Sequence, residues 1–153
     1  MKVFVAGANG AIGRPLVKAL VAASHEVVGM TTSAAGIDAL RDQGAEGIVL
    51  NALDAKAVTE EIARIRPDAI IDELTSLPKR YTPEEMRAAA PRDRQVRLEG
   101  GGNLHSAAVS SGVKRYVVQS TGFFYGPGQG LASEIEALAH NASSGVAGAV
   151  ATY

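Results

Sequence analysis

The stretch Lys2-Val3-Phe4-Val5-Ala6-Gly7-Ala8-Asn9-Gly10-Ala11-Ile12-Gly13-Arg14-Pro15-Leu16-Val17 decides the fold of this chain. Val3 to Ala6 form an unbroken apolar run, the composition of a buried strand. Leu16, Val17, Leu20 and Val21 recur at helical spacing. Between strand and helix stands Gly-x-x-Gly-x-x-Gly. Gly7 lets the chain leave the strand through a tight turn, Gly10 lets backbone N-H groups approach a ligand with no side chain between, and Gly13 lets the helix pack closely on the strand. Pro15 falls in the first helical turn, where its missing donor costs little. A helix N-terminus after such a turn offers unpaired N-H donors and the positive end of a dipole, the arrangement that holds the pyrophosphate of a dinucleotide.

Composition sets the outer bounds. At 153 residues the chain suits one domain with a real core. Its 15 basic and 16 acidic residues leave a net charge near zero, so no nucleic-acid or membrane partner is expected. No window is long and apolar enough to span a bilayer, and Met1-Lys2 running straight into a strand does not read as a signal peptide. Cysteine is absent, which removes disulfides and thiolate chemistry and fits a cytoplasmic location. His25, His105 and His140 lie far apart without carboxylates at ligand spacing, so no metal site is expected.

Short strand-like runs alternate with helical ones, the signature of a doubly wound parallel α/β sheet, the Rossmann fold. Strands are expected at Lys2 to Ala6, Glu26 to Thr31, Gly47 to Leu50, Ala69 to Asp72 and Arg115 to Ser120. Helices are expected at Ala11 to Ala23, Ala35 to Gln43 and Ala55 to Arg64. Thr82-Pro83-Glu84-Glu85 opens another helix, with Thr82 as cap, Pro83 at the first position and Glu85 where a capping box needs an acid. Pro91 predicts a kink or a division of that segment into two helices. Gly100-Gly101-Gly102 costs a helix roughly 1 kcal/mol per glycine relative to alanine. Either the helix kinks there, or small residues let it approach a strand or cofactor closely. After Tyr125 the chain is rich in Gly, Ala and Ser, with one helix candidate at Ser133 to Ala139 and no clear sixth strand. The expected division is a dinucleotide-binding domain over 1–125 and a tail over 126–153.

Taken in order, these residues resemble the N-terminal half of an extended or atypical short-chain dehydrogenase/reductase, the group that includes NAD(P)-dependent epimerases and dehydratases. The glycine loop has that family's spacing. Asn51-Ala52-Leu53-Asp54 is similar to its Asp-Leu-x-Asp stretch; the resemblance places Asn51, Ala52 and Leu53 at the adenine, and Asp54 reads as a helix cap. Ile70-Ile71-Asp72-Glu73-Leu74-Thr75 resembles the fourth strand and its exit, where Leu74 and Thr75 would line the nicotinamide ribose and diphosphate. Gly112 to Thr121, followed by Phe124-Tyr125-Gly126, resembles the fifth strand and the loop beyond, with Gln119 and Ser120 at the cofactor.

The family's catalytic Ser or Thr precedes the closing glycine by five residues, which gives Thr121. Its partner tyrosine normally sits in Tyr-x-x-x-Lys, a motif absent from this sequence. Tyr153 stands at a fitting distance to be that tyrosine; equally, it reads as a terminal aromatic. Where many members carry a relay asparagine this chain has Arg97, either a contact for an acidic substrate or part of a solvated helix face.

The end of the second strand, Met30-Thr31-Thr32-Ser33, lacks the acid that would accept from a ribose 2'-hydroxyl. Thr31, Thr32 and Ser33 can donate to a 2'-phosphate and Arg14 can reach the same region, which favours NADP over NAD; the plainer readings are that Ser33 caps a helix and Arg14 faces solvent. The cofactor set implied by the resemblance is therefore Gly7, Asn9, Gly10, Ala11, Ile12, Gly13, Arg14, Thr31, Thr32, Ser33, Asn51, Ala52, Leu53, Leu74, Thr75, Gln119 and Ser120. The function implied is an oxidoreductase or epimerase/dehydratase acting on a carbonyl or alcohol, such as a nucleotide-sugar-like substrate, with Thr121 and Tyr153 as the hydroxyl pair. The alternative is a non-catalytic NAD(P)-binding sensor. Related proteins often pair through the helices here covering Thr82 to Ala108, which makes a homodimer an expectation. The sequence is expected to be the first portion of such a protein, binding cofactor with little turnover by itself.

Overall fold

The first strand is the axis on which the rest is arranged. In the computed structural model, which describes residues 1–120, 125, 130–137 and 139, β1 (Lys2–Ala6) pairs in parallel with β2 (Glu26–Thr31) on one side and β4 (Ala69–Asp72) on the other. β3 (Glu46–Val49) extends the sheet beyond β2, and β5 (Arg115–Val118) beyond β4. The order is β3-β2-β1-β4-β5, all parallel, so the connections reverse direction between β1 and β4. Ligands of open α/β sheets bind at such a reversal, outside the carboxyl ends of the strands.

The helices are α1 (Gly13–Ala22), α2 (Ala34–Arg41), α3 (Ala55–Ile65), α4 (Pro83–Gln95) and α5 (Gly101–Ser110), with a π-helical segment, Val96–Gly100, between the last two. Alternate residues of the central strands serve two cores. Phe4, Val28, Met30 and Ile70 pack with Val58 and Ile62 of α3 and Leu104 of α5, while Val3, Val5 and Val27 pack with Val17 and Leu40. Both faces are apolar because helices cover both, which is why the strands read as continuous hydrophobic runs. Val58 and Ile62 are fully buried, each worth roughly 1.5–3 kcal/mol relative to exposure.

β1, β2 and β4 match their expected bounds, and α1 to α3 and β3 differ by one or two residues at their ends. β5 stops at Val118, although Gln119 still donates its N-H to the Asp72 carbonyl at 3.2 Å. Two helices, α4 and α5, precede the last strand as expected, but the division falls at the π segment and Pro91 lies within α4. The carbonyl that a proline leaves without a donor belongs to residue 87, which is exposed and can bind water; no residue of α4 is buried. One expectation is corrected: the helix candidate at 133–139 is, among its described residues, a turn closed by Glu136 N-H on the Ser133 carbonyl at 3.1 Å. Leu131 and Ile135 are exposed, and so short a segment does not hold a helix alone.

By internal contacts the chain divides into Met1–Gln119 and Ser120–Tyr153. Among the described residues no helix is long and apolar enough to cross a membrane.

Candidate functional site

The carboxyl ends of β1, β2 and β4 bring together the loops singled out in the sequence. Gly7 has φ +75°, and a Cβ there would lie 2.5 Å from the Glu73 carbonyl oxygen. Its N-terminal neighbour's carbonyl, on Ala6, accepts from Glu73 N-H at 3.1 Å, so the β1 and β4 exits lie side by side. Gly10 N-H closes the turn on the Gly7 carbonyl at 2.9 Å. A Cβ on Gly13 would collide with that same carbonyl and with Ala8. The three glycines thus do the turn-forming and close-packing jobs their spacing predicts.

The helix that leaves this loop has an open end. α1 begins with Ile12 as its N-cap residue, makes no side-chain cap bond and has no acid in its first turn. The other helices that begin after a loop are closed: Ser33 Oγ accepts from Gly36 N-H at 3.3 Å, Asp54 Oδ1 from Ala57 N-H at 3.0 Å, and Thr82 Oγ1 from Glu85 N-H at 3.2 Å. Glu85 itself pairs with Arg80 at 2.7 Å instead of completing a capping box. Ala11, Ile12 and Arg14 are exposed beside the open end. The donor set suits an anion: backbone N-H groups, a positive dipole end and a nearby guanidinium.

Asn9 joins this loop to the end of β2. Its Nδ2 donates to the Gly36 carbonyl at 3.0 Å, which fixes the amide orientation and leaves Oδ1 buried without a hydrogen-bond partner. Gly36 has no room for a side chain, since a Cβ would collide with Thr31 Oγ1 and stand 2.6 Å from Asn9 Nδ2. Thr31 is buried and its hydroxyl accepts from Ser33 N-H at 3.4 Å, so it belongs to this packing, while Thr32 and Ser33 are exposed. A dinucleotide fits these residues: a cradle that Cβ atoms would fill, an uncapped helix and an orphan acceptor beside them.

After β3, Asn51 Oδ1 accepts from Leu53 N-H at 3.1 Å, and Asn103 Nδ2 of α5 donates to the Ala52 carbonyl at 2.9 Å. Gly100 explains why the glycine run sits in a helix, because a Cβ there would stand 2.9 Å from the Ala52 Cβ and 3.4 Å from Leu74. Gly101 is similarly confined by Asp72 Oδ2 at 3.1 Å, whereas Gly102 has open space. Close approach, not a break, accounts for two of the three glycines.

The β4 exit contains what the sequence reading missed. Asp72 is 5% exposed; its Oδ1 accepts from Leu74 N-H at 2.9 Å and its Oδ2 from the Tyr116 hydroxyl at 2.8 Å. Burial pushes the Asp72 carboxyl above its ordinary range, opposed by the two hydrogen bonds and by the Arg97 charge. Burial and the facing carboxylate push the Tyr116 phenol far up, so it remains a donor. His105 stacks edge-on against Tyr116 with ring centroids 5.3 Å apart. Arg97 is not a solvated face residue: its Nε donates to Asp93 Oδ2 at 2.8 Å, with side chains 21% and 15% exposed. An acid closing the apolar run Ala69-Ile70-Ile71-Asp72 was the available signal. Thr75 and Gln119 are exposed, as is Ser120. Thr121 and Tyr153 lie outside the described residues.

A family model described as NAD(P)H-binding matches residues 7–145. The chain belongs to the NAD(P)H-binding family. Within it, a curated relative from Streptomyces, 3-diazoavenalumate denitrifying reductase, is 38% identical over 128 residues, covering 83% of this chain and 40% of the relative. The Bordetella bronchiseptica enzyme WbmH, solved with NAD+, is 25% identical with a TM-score of 0.73, covering 99% of this chain and 49% of that one. The UDP-Glc/GlcNAc 4-epimerase of Campylobacter jejuni, 21% identical, shares the fold with a TM-score of 0.75 over 90% of this chain and 43% of its own. This NAD(P)H-binding chain spans under half the length of these relatives, and the Rossmann portion of an epimerase/dehydratase-type protein, as its motifs imply, is what it matches.

Proposed function

We propose that this chain is the cofactor-binding portion of an oxidoreductase or epimerase/dehydratase of the extended or atypical short-chain dehydrogenase type. The observation that carries the reading is the open N-terminus of α1 above the glycine loop, placed where the strand order reverses. A nicotinamide cofactor supplies hydride transfer to or from a carbonyl or alcohol carbon. The chain's own residues hold the pyrophosphate at Gly10 to Gly13, the adenine end at Asn51 to Leu53 and the nicotinamide end at Leu74 and Thr75. Thr121 and Tyr153 are proposed to hydrogen-bond the reacting oxygen and exchange its proton. A nucleotide-sugar-like substrate, a cytoplasmic location, a domain over 1–125 and pairing of two copies through 82–108 complete the proposal.

NADP is the preferred cofactor in this reading. Thr32 and Ser33 are exposed at the β2 exit, Ser33 uses its oxygen to cap α2 and so retains a proton to donate, and Arg14 is exposed near the loop. No acid at the strand end repels a 2'-phosphate. Thermal-shift and fluorescence titration of the chain with NADPH and NADH test this. Stabilisation by both, at lower concentration for NADPH, is expected; no response to either overturns the dinucleotide reading, and a tighter response to NADH overturns the preference. Binding with no hydride transfer by a longer form containing a Tyr-x-x-x-Lys would favour the sensor.

A further inference from the structure

The loop leaving β4 is held at two alternate N-H groups by two carboxylates. Leu74 N-H goes to Asp72 Oδ1 at 2.9 Å, and Ser76 N-H to Asp93 Oδ1 at 2.6 Å. Asp72 belongs to the strand itself, whereas Asp93 reaches the loop from α4. Arg97, one turn beyond Asp93, donates to the other oxygen of the same carboxylate, and its charge also acts on Asp72. The same cation therefore bonds one carboxylate and acts through its charge on the other, and each carboxylate fixes one end of the tripeptide Leu74-Thr75-Ser76. The fold does not require this arrangement. The ladder between β1 and β4 closes at Glu73, and α4 buries none of its residues, so apolar packing does not set its register against the loop. The π segment, where helices commonly depart from α geometry for functional reasons, contains Arg97 and ends at Gly100, packed against Leu74.

We propose that Asp93 and Arg97 are positioning residues that fix the Leu74–Ser76 backbone, and with it the exposed Thr75, for the nicotinamide half of the cofactor. The inference rests on the dinucleotide reading of the glycine loop. Its sign separates it from simple electrostatics. Removing an acid near an anionic ligand tightens binding by charge alone, whereas loss of the clamp weakens it.

The test is NADPH titration of the 153-residue chain and three variants, with the emission of the bound nicotinamide and the melting temperature without cofactor read in parallel. Asp93→Ala is expected to weaken binding about tenfold, the scale of one lost charge-assisted hydrogen bond, and to shift the bound emission. Asp93→Asn, which keeps an acceptor for Ser76 N-H, should recover most of the affinity. Arg97→Met keeps Asp93 on Ser76 and should weaken binding by about threefold as the carboxylate loses its second anchor; it decides the matter if Asp93→Ala does not fold. Wild-type affinity and emission in both Asp93→Ala and Arg97→Met, with only the melting temperature lowered, overturns the proposal and leaves the pair a stability device. If the unsubstituted chain binds neither NADPH nor NADH, the dinucleotide reading fails first, a result distinct from failure of the clamp alone.

Discussion

α1 and α3 flank the same sheet and begin in opposite ways. α3 starts beneath Asp54, whose carboxylate accepts from Ala57 N-H, while α1 starts at Ile12 with nothing from its own side chains over its first turn. A side-chain cap is worth ~1 kcal/mol to a helix, so a chain selected only for stability would close both. α1 forgoes that contribution at the one helix start that lies on the glycine loop. The contrast separates helix ends closed by their own side chains from the one left open, which the proposed function assigns to the pyrophosphate.

The sharpest way to break the comparison is at Gly13, whose missing Cβ permits the contact with the Gly7 carbonyl. Gly13→Ala should lower stability by about 2–3 kcal/mol, an overpacking cost against rigid backbone, and abolish NADPH binding; chemical denaturation and titration check both. Closing the open end is gentler. Ile12→Asp places a negative charge at the dipole's positive end, which should stabilise the apoprotein by about 0.3–1 kcal/mol while repelling the pyrophosphate and weakening binding at least tenfold. Thr82→Ala is its mirror: it should cost ~1 kcal/mol and leave cofactor affinity unchanged. If both substitutions alter binding alike, the distinction between the two kinds of helix end is lost.

The smallest effect is expected at Asp72. Its carboxyl is raised in the fold above the ordinary value of 3.8, so the unfolded chain ionises first as pH rises. Stability from this group is therefore greatest below that value and falls as pH climbs toward the folded-state titration. Asp72→Asn keeps an acceptor for Leu74 N-H and cannot ionise. Its stability curve should be flatter over the mildly acidic range, with the neutral-pH value within about 1 kcal/mol of the parent; an unchanged slope would show that Asp72 does not carry the dependence.

The strands and the glycine loop were legible because each follows from a local rule: apolar runs make buried strands, and a left-handed or crowded backbone position demands glycine. Caps at Ser33, Asp54 and Thr82 were legible for the same reason, since donor and acceptor lie within one turn. The Asp72–Tyr116 bond joins residues 44 positions apart and the Asp93–Ser76 bond 17, and no local pattern announces such partners. Pro91 pointed to two helices but not to where they divide, since the π segment that separates α4 from α5 begins five residues further on, at Val96. The 133–139 helix misled because its apolar residues suggested a face, yet Ile135 is exposed and Ala139 is buried outside any helix.

Gly36 belongs to none of the motifs, yet it is where Asn9 and Thr31 both crowd against α2. Under the proposed NADP preference, Thr32, which faces solvent, is the position to rewrite in exchanging a phosphate-bearing cofactor for its plain counterpart, whereas Ser33 also caps α2. The helix behind them leaves little latitude, because even a methyl group at position 36 would collide with the Thr31 side chain. On the proposed reading, cofactor choice is tunable in chemistry within a tightly packed geometry.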